Sequence, residues 1–482
     1  MGGIYDGWFS KELSASEFGD QRLNKRFFSM GEKWSLSPER SIPQTFDDWP
    51  SVKAAYRFFE NKKVTPEKIL YSHFENTHQR LQTRKTVLII QDTSFLSYGH
   101  HRNTKGLGKL GSNHRGDQKY DNYGLIMHTA LAVDPSGLPL GLVDQKIYAR
   151  QAERHLPRTL SSMVRAKIPI EMKESIKWIE PMERLSLTFQ NKLKTQIVHV
   201  GDREADFFEL FWRAKQLDAS ILIRCSHNHV VGSRSRKKKF VQEKLIEKAR
   251  TQPAIGGYTV EIQETKDRKG RMARVEVSIG SFTLNPERNH SLAKSNLNIE
   301  LSLHFICVRE VRTPQGEQPI EWILLSNIES HNLESAIEKV QWYSCRWQIE
   351  IFHKILKSGF RIESCQINCA EKLSKSVHFM SILAWRVHWL TWIARIAPET
   401  PAAEILTPVE IAVINARFPK KISFSSQKGT IALYLVLIAQ IGGFLARTGD
   451  GKPGIISIWT GWSRLADMAL GWNLKNSNMG YG

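Results

Sequence analysis

Cysteine is scarce in this sequence: Cys225, Cys307, Cys345, Cys365 and Cys369 are the five among 482 residues. An odd and sparse set excludes a disulfide scaffold. With no secretory leader at the start, it leads one to expect a reducing cytosol. Cys365 and Cys369 with His353 do not make a zinc finger, because no second ligand pair follows at the required spacing. Long apolar runs are missing too. The uncharged stretch Ile431 to Ala446 is short of the roughly 20 residues of a membrane span and contains Gln440, Gly442 and Gly443. A buried or subunit-interface helix is expected there, and no membrane partner. There are no internal repeats and no long low-complexity tracts. The glycine pattern in Lys105–Ser112 (KGLGKLGS) fits a dinucleotide-binding motif only by spelling. It does not directly follow its strand, and no Walker sequence accompanies it, so a flexible cationic loop is the better reading.

Acidic residues are too few to balance the basic ones: 48 Asp and Glu face 68 Lys and Arg, a net charge of +20. Such an excess favours a polyanionic partner and salt-sensitive association, with nucleic acid first. Hydrophobic residues at 41% and charged residues at 24% leave ample core material for a multi-domain globular chain.

The chain divides by pattern. Residues 1–70 read as short basic helices, including Asp20–Arg26 and Lys53–Phe59, and Thr65-Pro66-Glu67 is a helix start with a Thr cap and Pro in the first turn. Thr86–Ile90 is then a buried strand delivering Asp92 at its carboxyl end. Two apolar runs flank Asp134-Pro135-Ser136-Gly137, a hairpin signal. Gln196–Val200 is another strand, running into Gly201-Asp202 and a helix from Arg203, and Ser220–Arg224 is a further one. The dense basic tract Arg234–Lys239 opens a β-rich block, about 233–327, expected to be an insertion in an α/β domain. Beyond it the chain is helical. Trp385, Trp389 and Trp392 are expected in a core, and Ala397–Pro401 is a break. The expected domains are therefore 1–70, 71–396 and 397–482.

Tyr343–Lys357 (YSCRWQIEIFHKILK) carries the strongest single pattern. Read as one helix, it gathers Tyr343, Arg346, Glu350, Lys354 and Lys357 on one side and Ile349, Phe352, Ile355 and Leu356 on the other. A lone carboxylate in a cationic stripe suits a metal-held phosphate site; a solvated face with a Glu350–Lys354 pair suits the same spacing. Asp92 and Asp202 at strand ends tilt the balance. Two aspartates and a helical glutamate can converge on hard cations such as Mg²⁺, which prefer carboxylate, water and phosphate oxygens. Paired ions at such a site support in-line phosphoryl displacement, with Arg346, Lys354 and Lys357 holding flanking phosphates.

At these residues the chain resembles the DDE transposases of the IS-four type, most nearly the Tn-five cut-and-paste group. The likeness rests on Gln91-Asp92-Thr93-Ser94 with Leu96-Ser97-Tyr98, Leu107–Ser112, Asp202-Arg203-Glu204-Ala205-Asp206, and the Y-R-E-K signature Tyr343, Arg346, Glu350 and Lys357. It extends to Phe18-Gly19-Asp20-Gln21-Arg22, Gly442-Gly443-Phe444 and Trp459–Trp462, nearly the whole chain.

The resemblance implies an α/β, ribonuclease H-like core with a β-rich insertion, between an α-helical DNA-binding domain and an α-helical dimerisation domain. It implies Asp92, Asp202 and Glu350 as the catalytic metal ligands, using Mg²⁺ with Mn²⁺ as substitute. Tyr343, Arg346, Lys357 and Arg224 match contacts to end phosphates, and Trp322 matches a tryptophan beside a flipped base. Ser226 stands where the family has a lysine, a contact Arg234–Lys239 could replace. The implied partners are double-stranded transposon-end and target DNA and a second copy of the chain in a synaptic homodimer, on the nucleoid of a bacterial cytoplasm. The implied reaction is end nicking, hairpin formation and resolution, and strand transfer. The alternatives are a related metal nuclease without strand transfer and a catalytically silent DNA-binding regulator.

Overall fold

A computed structural model describes residues 8–478 except 37–39, 47, 100, 102, 116–117, 151–159, 190–193, 233–242, 263, 265–268 and 287–298. The basic tract Arg234–Lys239 lies outside the described residues. The architecture is mixed α/β: one large mixed sheet with helices before and after it.

The strands in chain order are β1 (Thr86–Ser97), β2 (Gly108–Arg115), β3 (Gln118–Val133), β4 (Pro139–Tyr148), β5 (Gln196–Gly201) and β6 (Ser220–Arg224). They are followed by β7 (Val230–Val231), β8 (Glu243–Lys244), β9 (Gly256–Ile262), β10 (Arg271–Leu284), β11 (Leu301–Glu310) and β12 (Glu321–Ser326). Their spatial order is β2-β3-β1-β5-β6-β12-β11-β10-β7-β8, with β4 on β3 and β9 on β10. The pairs β1–β5 and β5–β6 are parallel, while β3 and β4 form an antiparallel extension. The strands of the β-rich block do not form a separate sheet. β12 pairs with β6, Leu324 opposite Arg224, so the block continues the central sheet.

The hairpin between β3 and β4 forms as its residues dictate. The Asp134 carboxylate accepts from Ser136 N and Leu138 N, and Gly137 takes the left-handed φ of +91° that a side chain would resist. Two expectations change. Lys105–Ser112 is not a loop: from Gly108 it is strand β2, paired with β3 through a bulge between Lys109 and Gly111. Gly108 is required there because a Cβ would lie 2.3 Å from Arg150 N. The helix expected directly from Arg203 is a single 3-10 turn, Arg203–Ala205, before an α-helix over Phe208–Gln216.

Helix Ala370–Ile396 is the central post. Its apolar residues are spread all round, so it is buried on nearly every side, as such a helix must be. Trp385 Nε1 donates to Pro139 O at 3.0 Å, which pins it to β4. Phe379 meets Phe9, Phe27, Trp34 and Phe59 at ring distances of 5.5–6.1 Å, which seats the amino-terminal helices Gln21–Leu36 and Trp49–Glu60 on the same post. Helix Pro66–Gln82 starts as expected, with Thr65 Oγ1 accepting from Lys68 N.

The uncharged run becomes helix Ile431–Ile441, buried against helix Ile455–Asn478. Close approach depends on two glycines. A Cβ on Gly461 would sit 1.7 Å from Ile438 O, and one on Gly442 1.9 Å from Ser457 O. Among the described residues no helix is long and apolar enough to cross a membrane.

Candidate active site

Asp92 does not end its strand. β1 continues to Ser97 because β3 pairs with it throughout, Asp92 opposite Thr129. The parallel partner β5 follows only as far as Ile90 opposite Val200. Asp92 therefore sits just past the point where β5 parts from β1, and Asp202 follows immediately at the end of β5. The Asp202 carboxylate caps the 3-10 turn by accepting from Glu204 N at 2.8 Å. Asp92 Oδ1 accepts from Thr93 N at 2.7 Å.

The Tyr343–Lys357 segment is not one straight helix. An α-helix over Leu333–Ser344 gives way at Cys345-Arg346, and a second runs from Trp347 to Lys354. At the junction Arg346 N donates to Tyr343 O and Ile349 N to Arg346 O, a tightened i to i+3 passage that rotates the chain faster than an α-helix. After Lys354 comes a π-helical turn, Ile355–Gly359, closed by Phe360 N donating to Ile355 O. The apolar face holds: Ile349, Phe352, Ile355 and Leu356 are buried.

The polar residues are sorted by these irregularities rather than aligned in one stripe. Tyr343 is buried and Lys354 exposed. Glu350 does not pair with Lys354. Its Oε1 accepts from Arg346 Nη2 one turn earlier, and Arg346 Nη1 also lies 3.7 Å from Asp92 Oδ2. Arg346 thus bridges the strand acid and the helical acid.

The parallel register places the third acid with them, since Asp92 and Asp202 each lie two residues past the Ile90–Val200 pair. Burial pushes the Asp92 carboxyl up to about 6, and the neighbouring Asp202 and Glu350 charges push the same way, while the Thr93 N–H and Arg346 oppose them. Three carboxylates gathered at a partly buried point are short of positive charge. The donor set is oxygen only, which suits a hard divalent cation, and Arg346 partly supplies that charge in the structure.

The remaining candidates form two groups. On one side, Trp322 meets Tyr343 edge-on at 5.2 Å, and the Arg224 guanidinium lies over the Trp322 ring at 5.7 Å. Burial raises the Tyr343 phenol, and the charges of Arg346 and Arg224 counter it, while Arg224 Nη2 donates to Glu321 O at 3.4 Å. On the other side, Lys357 Nζ donates to Phe95 O at 2.9 Å and lies 3.5 Å from Glu363 Oε1. Glu363 in turn accepts from Ser97 N, so the π turn is tied to the end of β1. Sequence reasoning missed the roles of Glu363 and Asp206. Asp206 stood within the quoted Asp202–Asp206 motif, and its place at the close of the turn after β5 shows only in the structure.

The family described as Transposase DNA-binding matches residues 5–64, Transposase DDE domain matches residues 200–385, and Transposase Tn5 dimerisation domain matches residues 382–479. The last two meet inside helix Ala370–Ile396, and β1 with Asp92 precedes the DDE match. The chain is a DDE transposase, a metal-dependent enzyme that cleaves and transfers DNA. It is related to the transposase of Tn5, with the DNA-binding and dimerisation domains of that kind at its two ends.

Proposed function

We propose that this transposase moves DNA by cut and paste, with Asp92, Asp202 and Glu350 as its metal-binding triad. The observation that carries the reading is Arg346 joining Asp92 to Glu350 while Asp202 raises the Asp92 carboxyl. Mg²⁺, with Mn²⁺ as substitute, would be held by the three carboxylates and supply Lewis-acid activation of a water or 3′-hydroxyl and of the leaving oxygen.

The chain's own groups do the rest. The carboxylates fix the reacting position at the β1–β5 junction of a ribonuclease H-like core. Arg346, released from its acid partners, grips a phosphate through two parallel bonds, and Lys357 and Lys354 offer point charges along the flanking backbone. Tyr343 and Arg224 hold the end on the other side. Trp322, partly exposed beside them, offers an aromatic surface for a base turned out of the stack when the end folds into a hairpin. The reaction then runs through nicking, hairpin formation and resolution, and joining of 3′-hydroxyls to target DNA.

The working units are an end-binding domain over 1–70, a catalytic domain over 71–396 with its β-rich insertion near 233–327, and a dimerisation domain over 397–482. Two chains act on two ends. Ile456, Met468, Leu470 and Trp472 leave apolar surface exposed on helix Ile455–Asn478, which suits a second copy of that helix.

The test is a cleavage assay on transposon-end duplexes with Asp92→Asn and Glu350→Gln. Both variants are expected to bind the ends and to lose Mg²⁺-dependent nicking by several orders of magnitude. Metal-dependent cleavage retained by both would sink the triad assignment.

A further inference from the structure

Four residues after Asp202, Asp206 closes the 3-10 turn and is buried. Its Oδ2 accepts from Ser226 N at 2.6 Å and His227 N at 2.8 Å, which fixes the carboxylate in one orientation. Its Oδ1 lies 2.7 Å from His229 Nε2, and Oδ2 lies 3.6 Å from His227 Nδ1. One ligand atom from each of Asp206, His227 and His229 falls within 4.8 Å of the other two. The two imidazoles come from one tight turn between β6 and β7, held by His229 N donating to His227 O and by Cys225 Sγ donating to the same carbonyl.

We propose that Asp206, His227 and His229 form a second divalent-metal site, distinct from the carboxylate triad and selective for a borderline ion of the zinc class. Two imidazoles and one carboxylate are ligands for such ions, whereas the triad's all-oxygen set suits magnesium. Bonds of about 2.0–2.2 Å at a tetrahedral angle set ligand atoms about 3.3 Å apart. The His229 ring therefore retracts by about half an ångström from its ion-pair distance to Oδ1, and the exposed His227 ring, whose nitrogen is within 4.8 Å of the other two ligand atoms, turns in to meet the same ion. The backbone N–H groups on Asp206 act as the outer hydrogen bonds that metal-bound carboxylates receive. His227 is 65% exposed and His229 15%, so the ion enters from the His227 side with the remaining positions open to water. The site's consequence follows from its place in the chain. The turn begins directly after Arg224, and a bound ion would hold β6, Arg224 and the Trp322–Tyr343 group against the strand-end acid Asp202.

The test uses full-length protein without a histidine tag, stripped by chelator and kept in excess Mg²⁺ so that oxygen sites are filled. Co²⁺ is titrated as a visible-spectrum surrogate and then displaced with Zn²⁺. Wild type is expected to bind a single Co²⁺ per chain with a d–d band that Zn²⁺ removes. His227→Ala, at an exposed position, is expected to weaken Co²⁺ binding at least about tenfold with an unchanged circular dichroism spectrum. His229→Gln should abolish the band. No Co²⁺ band in wild type, or the same affinity and spectrum in His227→Ala, would overturn the site and leave a buried Asp206–His229 ion pair. End cleavage in Mg²⁺ alone, measured on the same samples, separates that failure from a failure of the triad.

Discussion

The Arg346 guanidinium lies 3.7 Å from the Asp92 carboxylate while bonding Glu350, so one cation spans two of the three acids that the proposed chemistry needs. Its place between them means that Arg346 and a divalent cation compete for the same oxygens. A metal held by those acids would free the guanidinium for phosphate. Substituting Arg346 with Ala removes a charge that favours ionised Asp92, so its carboxyl titrates higher still. The low-pH limb of single-turnover nicking is expected to move up by up to about one pH unit. An unshifted limb would mean that Arg346 acts on DNA alone.

Asp92 itself costs the fold. Its carboxyl is raised from 3.8 to about 6 in the native state. The native state therefore holds the proton that the unfolded state has lost, and its contribution to stability, full below pH 4, fades as pH rises through about 6. The shift corresponds to roughly 3 kcal/mol. Asp92→Asn is expected to raise the melting temperature at pH 7.5 without metal, by an amount that shrinks towards pH 4. Adding Mg²⁺ should stabilise wild type and leave the variant unmoved. A gain in melting temperature of the same size at both pH values would show that burial and the neighbouring acids do not raise the Asp92 carboxyl.

Lys357 is tied to β1 through Phe95 O, yet its side chain remains one-third exposed. Replacing it with Ala should weaken end binding and reduce the salt slope by about one phosphate contact. Measured across ionic strength, an unchanged slope would leave it a purely internal tie.

Trp322 is half-buried between Arg224 and Tyr343. Trp322→Ala is expected to spare the first nick and slow hairpin formation by about tenfold or more, since base–aromatic stacking contributes about 1–3 kcal/mol. Gel analysis of the two steps separates them; equal slowing of both would assign Trp322 to structure.

The carboxy-terminal helices cross where Gly461 touches Ile438 O. Gly461→Ala forces the helices apart and should cost about 1–3 kcal/mol, with weakened self-association in sedimentation. A variant with wild-type melting and wild-type self-association would show that the crossing can relax.

Much of this was legible in the chain because the signals are local. Alternation and β-branching marked the cores of β1, β5 and β6, the Asp134–Gly137 turn announced its hairpin, and the Thr65-Pro66 pair announced its helix. The Y-R-E-K spacing pointed to the family, and the family matches agree with it. The misread segments are those in which a distant partner overruled local preference. Gly108–Ser112 looked like part of a loop until β3 supplied its hydrogen bonds, and β1 ran past Asp92 for the same reason.

The sequence by itself determined which residues could do the chemistry: three acids among basic neighbours, a family signature, and a charge suited to DNA. Tertiary structure alone decided how they meet. The tightened turn at Cys345-Arg346 and the π turn at Ile355 break a periodicity that looked continuous, and they send Tyr343, Glu350 and Lys357 to different neighbours. Packing forces those breaks, because burying Ile349, Phe352 and Leu356 against the core fixes the helix before its polar side can choose a partner. The pairing of Asp206 with two histidines some twenty residues on is decided in the same way: contacts made across a sheet depend on register, which no local pattern records.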